Sequence, residues 1–341
     1  MKQRAWLLAV FSITLVASVI ATCWAIMPGD GDPVTLDDMP RIRLELGQKG
    51  VEHSKTVPLI SSRGCPYKCS FCYNTFTNQG RYLLRSSESV ISEMDYWHQL
   101  FGITSFTFMD DNFLINEKRA LDILRTSEAR GYHVARVYGH LSNFTPAVRE
   151  IICDKKISVT MCIESGSKKI RNLLNKPIDI ERSLQLIEQL TSNKVTFITA
   201  FMFGLPGEDD EDILESLKVA NSIRNVSNGY ASSMFYLYAP QPNDLIINSG
   251  SDCYCDEIDF TFDTLAGVEV VPIPPTDGID LTLRPWMNAA DADFYRALAM
   301  IWLYNFVPQY QRNHPGLDLK ELFTNSTRLF NLFKRAGVAN E

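Results

Sequence analysis

Short apolar runs alternate with amphipathic segments between residues 55 and 240 of the chain. The segment 86–101 shows the helical pattern clearly, because Val90, Ile91, Met94 and Trp97 recur at intervals of three and four after a possible serine cap. The short runs predict strands over residues 56–61, 103–109, 133–138, 158–163, 195–203 and 230–238. The segments between them predict helices over residues 86–101, 117–130, 146–153, 168–174, 180–190 and 212–224.

This alternation predicts an α/β fold, because strands that alternate with helices form a parallel sheet covered by helices. Six strand–helix units suit an open, partial (β/α)6 TIM-like barrel, and we assign it to residues 55–240. In such barrels the catalytic groups gather where the strands end. Four polar or glycine-rich segments follow predicted strands here, and we expect them to meet at one site.

The amino terminus contains an apolar run from Ala5 to Met27 without any charged residue. As a helix, these residues would extend about 35 Å, enough for the hydrocarbon core of a bilayer. We predict a transmembrane or signal-anchor segment over residues 1–27 and a linker over residues 28–54. A cleavable signal peptide and a buried core helix are the alternatives, although the run is longer than the apolar part of most signal peptides.

The carboxyl-terminal region, residues 241–341, has a different character. Prolines interrupt its first part, and two helical stretches follow near residues 291–306 and 317–336. We interpret these as a mostly helical extension that packs on the barrel; the alternative is that its aromatic residues line a substrate pocket or touch a membrane. Cys253 and Cys255 form a close pair whose role the sequence leaves open. The aromatic residues are Phe294, Tyr295, Trp302, Tyr304 and Phe306.

Composition and net charge limit the class of protein and its partners only broadly. The 341 residues are 45% apolar, which is ordinary for a globular protein, and the formal net charge is −7. An acidic chain without a basic block argues against nucleic acid as a partner.

The strongest chemical signal is a loop with three cysteines, Cys65, Cys69 and Cys72, in the spacing C-x3-C-x2-C. A four-iron cluster with one cysteine on each iron needs four thiolates, so three thiolates leave one iron open to a small molecule. A structural zinc site usually has two close pairs of ligands, and the next close pair is Cys253 and Cys255. Disulfides are the other alternative, but eight cysteines in 341 residues fall far below the density of a stapled secreted domain.

The loop resembles the C-x3-C-x-aromatic-C signature of the radical S-adenosylmethionine (SAM) enzymes, with Phe71 at the aromatic position. The resemblance implies a 4Fe–4S cluster held by Cys65, Cys69 and Cys72. It also implies that SAM binds the open iron and is cleaved to a 5′-deoxyadenosyl radical. The protein would then position both cofactors and exclude water.

Three further segments resemble motifs of the same family and come in the family's order. They are Asp110-Asp111-Asn112-Phe113, Ile163-Glu164-Ser165-Gly166-Ser167 and Gly204-Leu205-Pro206-Gly207-Glu208. The resemblance implies that a carboxylate faces the ammonium of SAM, that Glu164 accepts hydrogen bonds from ribose or ammonium, and that backbone near Gly204 meets adenine. Each segment is also compatible with an ordinary turn or helix cap. The residues assigned to cofactor binding are Phe71, Asp110, Asp111, Glu164, Ser165, Gly166, Gly204 and Pro206.

The match is closest to the radical domain of the branch that carries a cobalamin-binding domain, which includes methyltransferases and an anaerobic magnesium-protoporphyrin ester cyclase type. Only 54 residues precede the predicted barrel, too few for a cobalamin domain of about 100 residues or more. We therefore do not expect cobalamin to bind within this chain. Relatives often end the last strand with Pro-x-Pro-Gly-Thr, whereas this chain has Pro240-Gln241-Pro242-Asn243-Asp244, which leaves the substrate contacts open.

The sequence favours an enzyme that abstracts hydrogen from a small-molecule substrate. The alternatives are a methyltransferase that takes cobalamin from another chain, a non-catalytic membrane-tethered iron–sulfur protein, and a secreted disulfide protein. A flavodoxin or ferredoxin would supply the electron, and the apolar regions suggest a lipid-like substrate.

The topology of the predicted anchor is a separate question. Basic residues before the anchor and acidic residues after it favour translocation of the rest of the chain. An oxygen-sensitive cluster needs a reducing compartment, so we expect a membrane-associated enzyme that faces the cytoplasm.

Overall fold

The computed structural model describes residues 37, 56–78, 80–240, 245–246, 284–313, 323 and 326–338. The predicted anchor and nearly all of the predicted linker lie outside these residues, as do Cys253 and Cys255. The chain divides into two compact units, Met1–Arg43 and Leu44–Glu341, and every element below belongs to the second unit.

The predicted parallel sheet is confirmed. Each neighbouring pair of its six strands runs parallel, and the strands follow one another in chain order across the sheet. A sequential parallel order is the arrangement that a partial (β/α)6 barrel requires. The strands are β1 (Thr56–Leu59), β4 (Ser105–Phe108), β5 (His133–Tyr138), β6 (Ser158–Thr160), β7 (Phe197–Phe203) and β8 (Ala231–Leu237).

A small hairpin that the hydrophobic pattern did not predict follows β1. Its strands β2 (Ser62–Arg63) and β3 (Leu83–Leu84) pair antiparallel. The residues between them contain the three cysteines and the short helix α1 (Tyr73–Thr77). The hairpin therefore fixes both ends of the cysteine loop beside the carboxyl end of β1.

Helices connect the strands, and each long helix begins at a side-chain cap. A hydroxyl, carboxylate or amide oxygen of the residue before the helix accepts a hydrogen bond from a backbone N–H of its first turn, which satisfies a donor that has no partner within the helix. The helices are α2 (Ser87–Phe101), α3 (Glu117–Ala129), α4 (Pro146–Lys155), α5 (Lys168–Leu173), α6 (Ile180–Ser192) and α7 (Asp210–Val226).

The two faces of the sheet differ in burial. In β4, Phe106 and Phe108 are fully buried under the helices, whereas Ser105 and Thr107 on the other face are partly exposed. The same alternation continues in β5, where Val137 is fully buried and Tyr138 is partly exposed. Side chains near the ends of these strands are therefore accessible from the face that carries Thr107 and Tyr138.

The carboxyl-terminal helices are α8 (Ala289–Phe306), α9 (Pro308–Asn313) and α10 (Thr327–Arg335). Trp302 of α8 is fully buried, its ring centroid lies 5.0 Å from those of Phe201 and Phe203, and its indole N–H donates to the carbonyl of Ser233 at 2.8 Å. The expected packing of this region on the barrel is therefore present for α8. Among the described helices, none combines the length and the apolar character needed to cross a bilayer.

Candidate functional site

The cysteine loop takes its shape from a glycine that the hairpin requires. Gly64 has φ +80°, and a Cβ built on it would lie 2.1 Å from the carbonyl oxygen of Arg81. Any side chain there would push the two strands of the hairpin apart. Gly64 therefore sets the direction in which the chain leaves β2 towards Cys65.

The three cysteines of the loop are free, and each is partly buried. Burial raises the pKa of Cys65 and Cys72, and it raises the pKa of Cys69 to about 11. The charge of Cys72 also raises the pKa of Cys65, and the charges of Cys72 and Cys65 raise that of Cys69, so the three thiols lie close enough to interact electrostatically. The three thiols therefore share one partly buried environment.

The thiols do not converge as ligands of a single ion do. Among the described residues, no three His, Cys, Asp or Glu side chains come together as one metal ion would require. A 4Fe–4S cluster makes a different demand, because each of its irons takes its own thiolate. Three partly buried thiols on one loop fit that demand.

Asp111 lies directly against the cysteine loop. Its carboxylate accepts hydrogen bonds from the backbone N–H of Gly64 at 2.9 Å and from the hydroxyl of Tyr73 at 2.7 Å. Its charge also raises the pKa of Cys65 and Cys72. Asp111 is exposed, so its carboxylate is available to a cation that binds beside the loop.

Asp110 has a different environment, although it is the neighbouring residue. It is buried, and its carboxylate accepts hydrogen bonds from the N–H of Ser61 at 2.7 Å, the hydroxyl of Ser61 at 2.5 Å and the hydroxyl of Ser62 at 2.6 Å. Burial raises the pKa of Asp110, and the serine hydrogen bonds and the charge of Arg119 act in the opposite direction. Asp110 therefore ties the end of β4 to the chain that follows β1, which fixes the base of the cysteine loop.

Glu164 is buried in the segment that follows β6, and its backbone conformation is unusual. Its φ is +69°, and it forms an isolated parallel bridge with Phe201 of β7. Its carboxylate makes an ion pair with Lys176, with Oε1 and Nζ 2.7 Å apart. The side chains of Glu164 and Lys176 are only 8% and 12% exposed.

Ser165 and Gly166 face helix α7 rather than the cysteine loop. The hydroxyl of Ser165 lies 3.2 Å from that of Ser216, and the N–H of Gly166 donates to the Ser216 hydroxyl at 2.9 Å. A Cβ on Gly166 would lie 2.2 Å from the carbonyl oxygen of Glu215. The backbone of Gly166 therefore approaches helix α7 closely.

Gly204 and Pro206 lie in the turn that follows β7. Gly204 has φ +77°, its N–H donates to Oε2 of Glu208 at 2.7 Å, and its carbonyl accepts from the indole of Trp286 at 3.0 Å. Pro206 is partly buried. Glu208 also accepts a hydrogen bond from the hydroxyl of Tyr295 at 2.8 Å, and burial raises its pKa to about 8.

Phe71 packs at the edge of a small apolar cluster beneath the cysteine loop. The cluster contains Ile170 and Leu174 from the α5 region and Leu205 from the turn after β7. Phe71 thus links the loop to the α5 region and to one predicted motif segment, the turn after β7. Its assignment to cofactor binding stays a prediction, as do those of Asp110, Asp111, Glu164, Ser165, Gly166, Gly204 and Pro206.

Lys176 is the main site residue that the sequence did not indicate. Burial alone would lower its pKa, but the charge of Glu164, helped by Cys162 and Cys69, raises the pKa above its ordinary value. Lys176 in turn lowers the pKa of all three loop cysteines. It lies in the stretch Asn175-Lys176-Pro177, where neither periodicity nor a motif marks it.

His140 also borders the site. Its ring stacks on Tyr67 of the cysteine loop with the centroids 4.5 Å apart. Burial and the charge of Lys176 lower its pKa to about 4, so the ring is neutral at ordinary pH. The contact between His140 and Tyr67 joins the cysteine loop to the segment that follows β5.

The fold and the site together define a parallel α/β domain with a three-thiol loop at the carboxyl end of its first strand. Residues 59–220 match the sequence model of the Radical SAM superfamily, so this domain is similar to the domains of that superfamily. Its members use a 4Fe–4S cluster and SAM as cofactors.

Sequence relatives of the chain include enzymes named as methyltransferases. An uncharacterized methyltransferase, PH0819, of Pyrococcus horikoshii is 27% identical over 55% of this chain and 43% of its own length. The cytidylyl-2-hydroxyethylphosphonate methyltransferase of Streptomyces wedmorensis is 26% identical over 55% of this chain and 36% of its own length. The chain thus spans less than half the length of these relatives.

A solved structure supports the fold. The radical SAM methyltransferase TsrM of Kitasatospora setae superposes with a TM-score of 0.51 at 17% identity, over 58% of this chain and 39% of that protein. At this identity the likeness concerns the fold alone.

Proposed function

We propose that the protein is a radical SAM enzyme in which Cys65, Cys69 and Cys72 hold a 4Fe–4S cluster. The observation that carries the proposal is the environment of these thiols, which lie partly buried on one loop and interact electrostatically with one another. When bound, the cluster supplies an electron for the reductive cleavage of SAM to methionine and a 5′-deoxyadenosyl radical.

The chain's own residues support this role by position and charge. Gly64 directs the loop away from the hairpin, and Asp110 fastens the loop's base to β4. Asp111 is an exposed carboxylate beside Cys65 and Cys72, where an opposite charge such as the ammonium of SAM would be stabilised. We assign ammonium binding to Asp111 rather than to Asp110, because the Asp110 carboxylate already accepts three hydrogen bonds within the protein.

The reaction that we propose is hydrogen abstraction from an organic substrate. We propose that the partly exposed face of the sheet, which carries Tyr138 and Cys162, receives that substrate. A low-potential flavodoxin or ferredoxin is the proposed electron donor. Membrane attachment through residues 5–27, a cytoplasmic site and a lipid-like substrate stay predictions.

Anaerobic reconstitution with iron and sulfide tests the proposal. The full chain is expected to bind about four irons, and dithionite is expected to convert added SAM into 5′-deoxyadenosine. Replacing any one of Cys65, Cys69 or Cys72 by Ala should abolish 5′-deoxyadenosine formation. Cys153→Ala is the matched control, because Cys153 is also a free, partly buried cysteine but lies at the end of α4.

A protein that holds an intact cluster and forms no 5′-deoxyadenosine would refute the proposal. S-adenosylhomocysteine as the product in place of 5′-deoxyadenosine would instead indicate methyl transfer. Both nucleosides are separated and quantified by liquid chromatography with mass spectrometry.

A further inference from the structure

Residues 174–176 lie against the cysteine loop, and two hydrogen bonds join this segment to the backbone of the loop. The N–H of Ser70 donates to the carbonyl of Leu174 at 3.0 Å, and the side-chain amide of Asn175 donates to the carbonyl of Lys68 at 2.7 Å. Ser70 and Lys68 are the immediate neighbours of Cys69. The segment is therefore held against the middle cysteine of the loop.

This contact brings a buried cation to the loop. The ammonium of Lys176 lies 6.0 Å from the ring centroid of Phe71, which stands between the second and third cysteines. It lies 2.7 Å from the carboxylate of Glu164, and little of either side chain is exposed. A buried charge is costly unless opposite charge compensates it, and the ion pair with Glu164 supplies that compensation in the protein alone.

A cluster bound by three thiolates changes the local charge. Three thiolates and a 4Fe–4S core of charge +2 carry a net charge of −1, and one-electron reduction makes it −2. A fixed cation in a poorly solvated site stabilises the more negative state, because charges interact strongly where water is excluded. A fixed anion at the same site has the opposite effect.

We infer that Lys176 and Glu164 form a charge pair that sets the reduction potential of the cluster, with Lys176 raising the potential and Glu164 lowering it. The inference rests on the proposed function, since it requires the cluster at Cys65, Cys69 and Cys72. Lys176 is a positioning residue in this account and acts on the cluster through its field. The electron comes from a low-potential donor, dithionite in the experiment, and no bond forms or breaks.

The test is an anaerobic redox titration of the reconstituted full chain without SAM. Electron paramagnetic resonance (EPR) measures the amount of reduced cluster at each potential. Lys176→Gln is expected to shift the midpoint potential of the cluster to a more negative value, and Glu164→Gln to a more positive value. Lys176→Arg keeps the charge and should remain close to the unmodified protein. Lys218→Gln removes an exposed lysine of α7 and should leave the potential unchanged.

A second comparison keeps the inference testable if Lys176→Gln fails to assemble a cluster. The double variant Glu164→Gln with Lys176→Gln removes both charges. Its midpoint potential should be more negative than that of Glu164→Gln, because the double variant lacks the cation of Lys176. Where Lys176→Gln also assembles a cluster, the potential of the double variant should lie between those of the two single variants. The inference is wrong if Glu164→Gln, with a full complement of iron, has the potential of the unmodified protein. It is equally wrong if Lys176→Arg and Lys176→Gln shift the potential alike.

These outcomes are distinct from a failure of the proposed function. An unmodified chain that binds no cluster, or binds one and does not cleave SAM, would count against the proposed function. An unmodified chain that does both, with a potential insensitive to the two charges, would count against this inference alone.

Discussion

At the scale of single residues, Glu208 is a partly buried acid in the turn after β7 whose carboxylate accepts two hydrogen bonds. Two donors, the N–H of Gly204 and the hydroxyl of Tyr295, share its Oε2, whereas its Oε1 is buried without a hydrogen-bond partner. Burial raises the pKa of the carboxyl to about 8 from an ordinary value of 4.5. The neutral form of Glu208 therefore prevails in the folded protein at pH 7.

A dependence of stability on pH follows from this residue. Between pH 4.5 and about 8 the folded protein holds a proton on Glu208 that the unfolded chain has released. Stability must then fall as the pH rises through this window, and the contribution of Glu208 levels off above it. We expect Glu208→Gln, which cannot ionise, to weaken the fall in melting temperature between pH 5.5 and 8.5.

Thermal unfolding at intervals of half a pH unit measures this effect. Glu188→Gln, at an exposed position of α6, is the control and should retain the pH dependence of the unmodified protein. Parallel curves for Glu208→Gln and the unmodified protein would contradict the assignment.

At the scale of elements, helix α8 is held to the last two strands by one aromatic cluster. The ring of Trp302 contacts Phe201 and Phe203 of β7 and Phe235 of β8, and Phe306 lies 4.7 Å away along the helix. The same helix carries Tyr295, which binds Glu208 in the turn after β7. Packing of α8 and the geometry of that turn are therefore connected.

Replacing Trp302 by Ala should lower the free energy of unfolding by about 3–5 kcal/mol, because it leaves a large cavity between helix and sheet. Replacing it by Phe keeps most of the volume and should cost about 1–3 kcal/mol, since the carbonyl of Ser233 loses its donor. Urea unfolding measures the free energy of unfolding of both variants. Arg296→Ala, at the surface of the same helix, should change stability by no more than about 0.5 kcal/mol. Equal stabilities for Trp302→Ala and Arg296→Ala would show that the cluster does not hold α8.

At the scale of the whole molecule, local periodicity was enough to predict the parallel sheet and its connecting helices. The strand β5 and the start of α4 lie where the pattern placed them, because both elements alternate or recur regularly and α4 begins at a threonine cap followed by proline. The β2–β3 hairpin escaped prediction because each of its strands has only two residues.

The candidate site was predictable only where the chemistry is local in sequence. The residue type and the C-x3-C-x2-C spacing are enough to predict a site at Cys65, Cys69 and Cys72. Lys176 does not, because its proximity to the loop depends on tertiary contacts made by Leu174 and Asn175. In the same way, the hydrogen bonds that engage Asp110 depend on how β1 pairs with β4, which no local pattern reveals.

The central claim is that three thiolates of one loop hold a cluster with an iron left open for SAM. EPR of the dithionite-reduced, reconstituted protein, recorded before and after addition of saturating SAM, tests it most directly. The account predicts that SAM changes the g-values of the reduced cluster, because it becomes a ligand of the open iron. An unchanged spectrum in a protein with a full complement of iron would contradict the account.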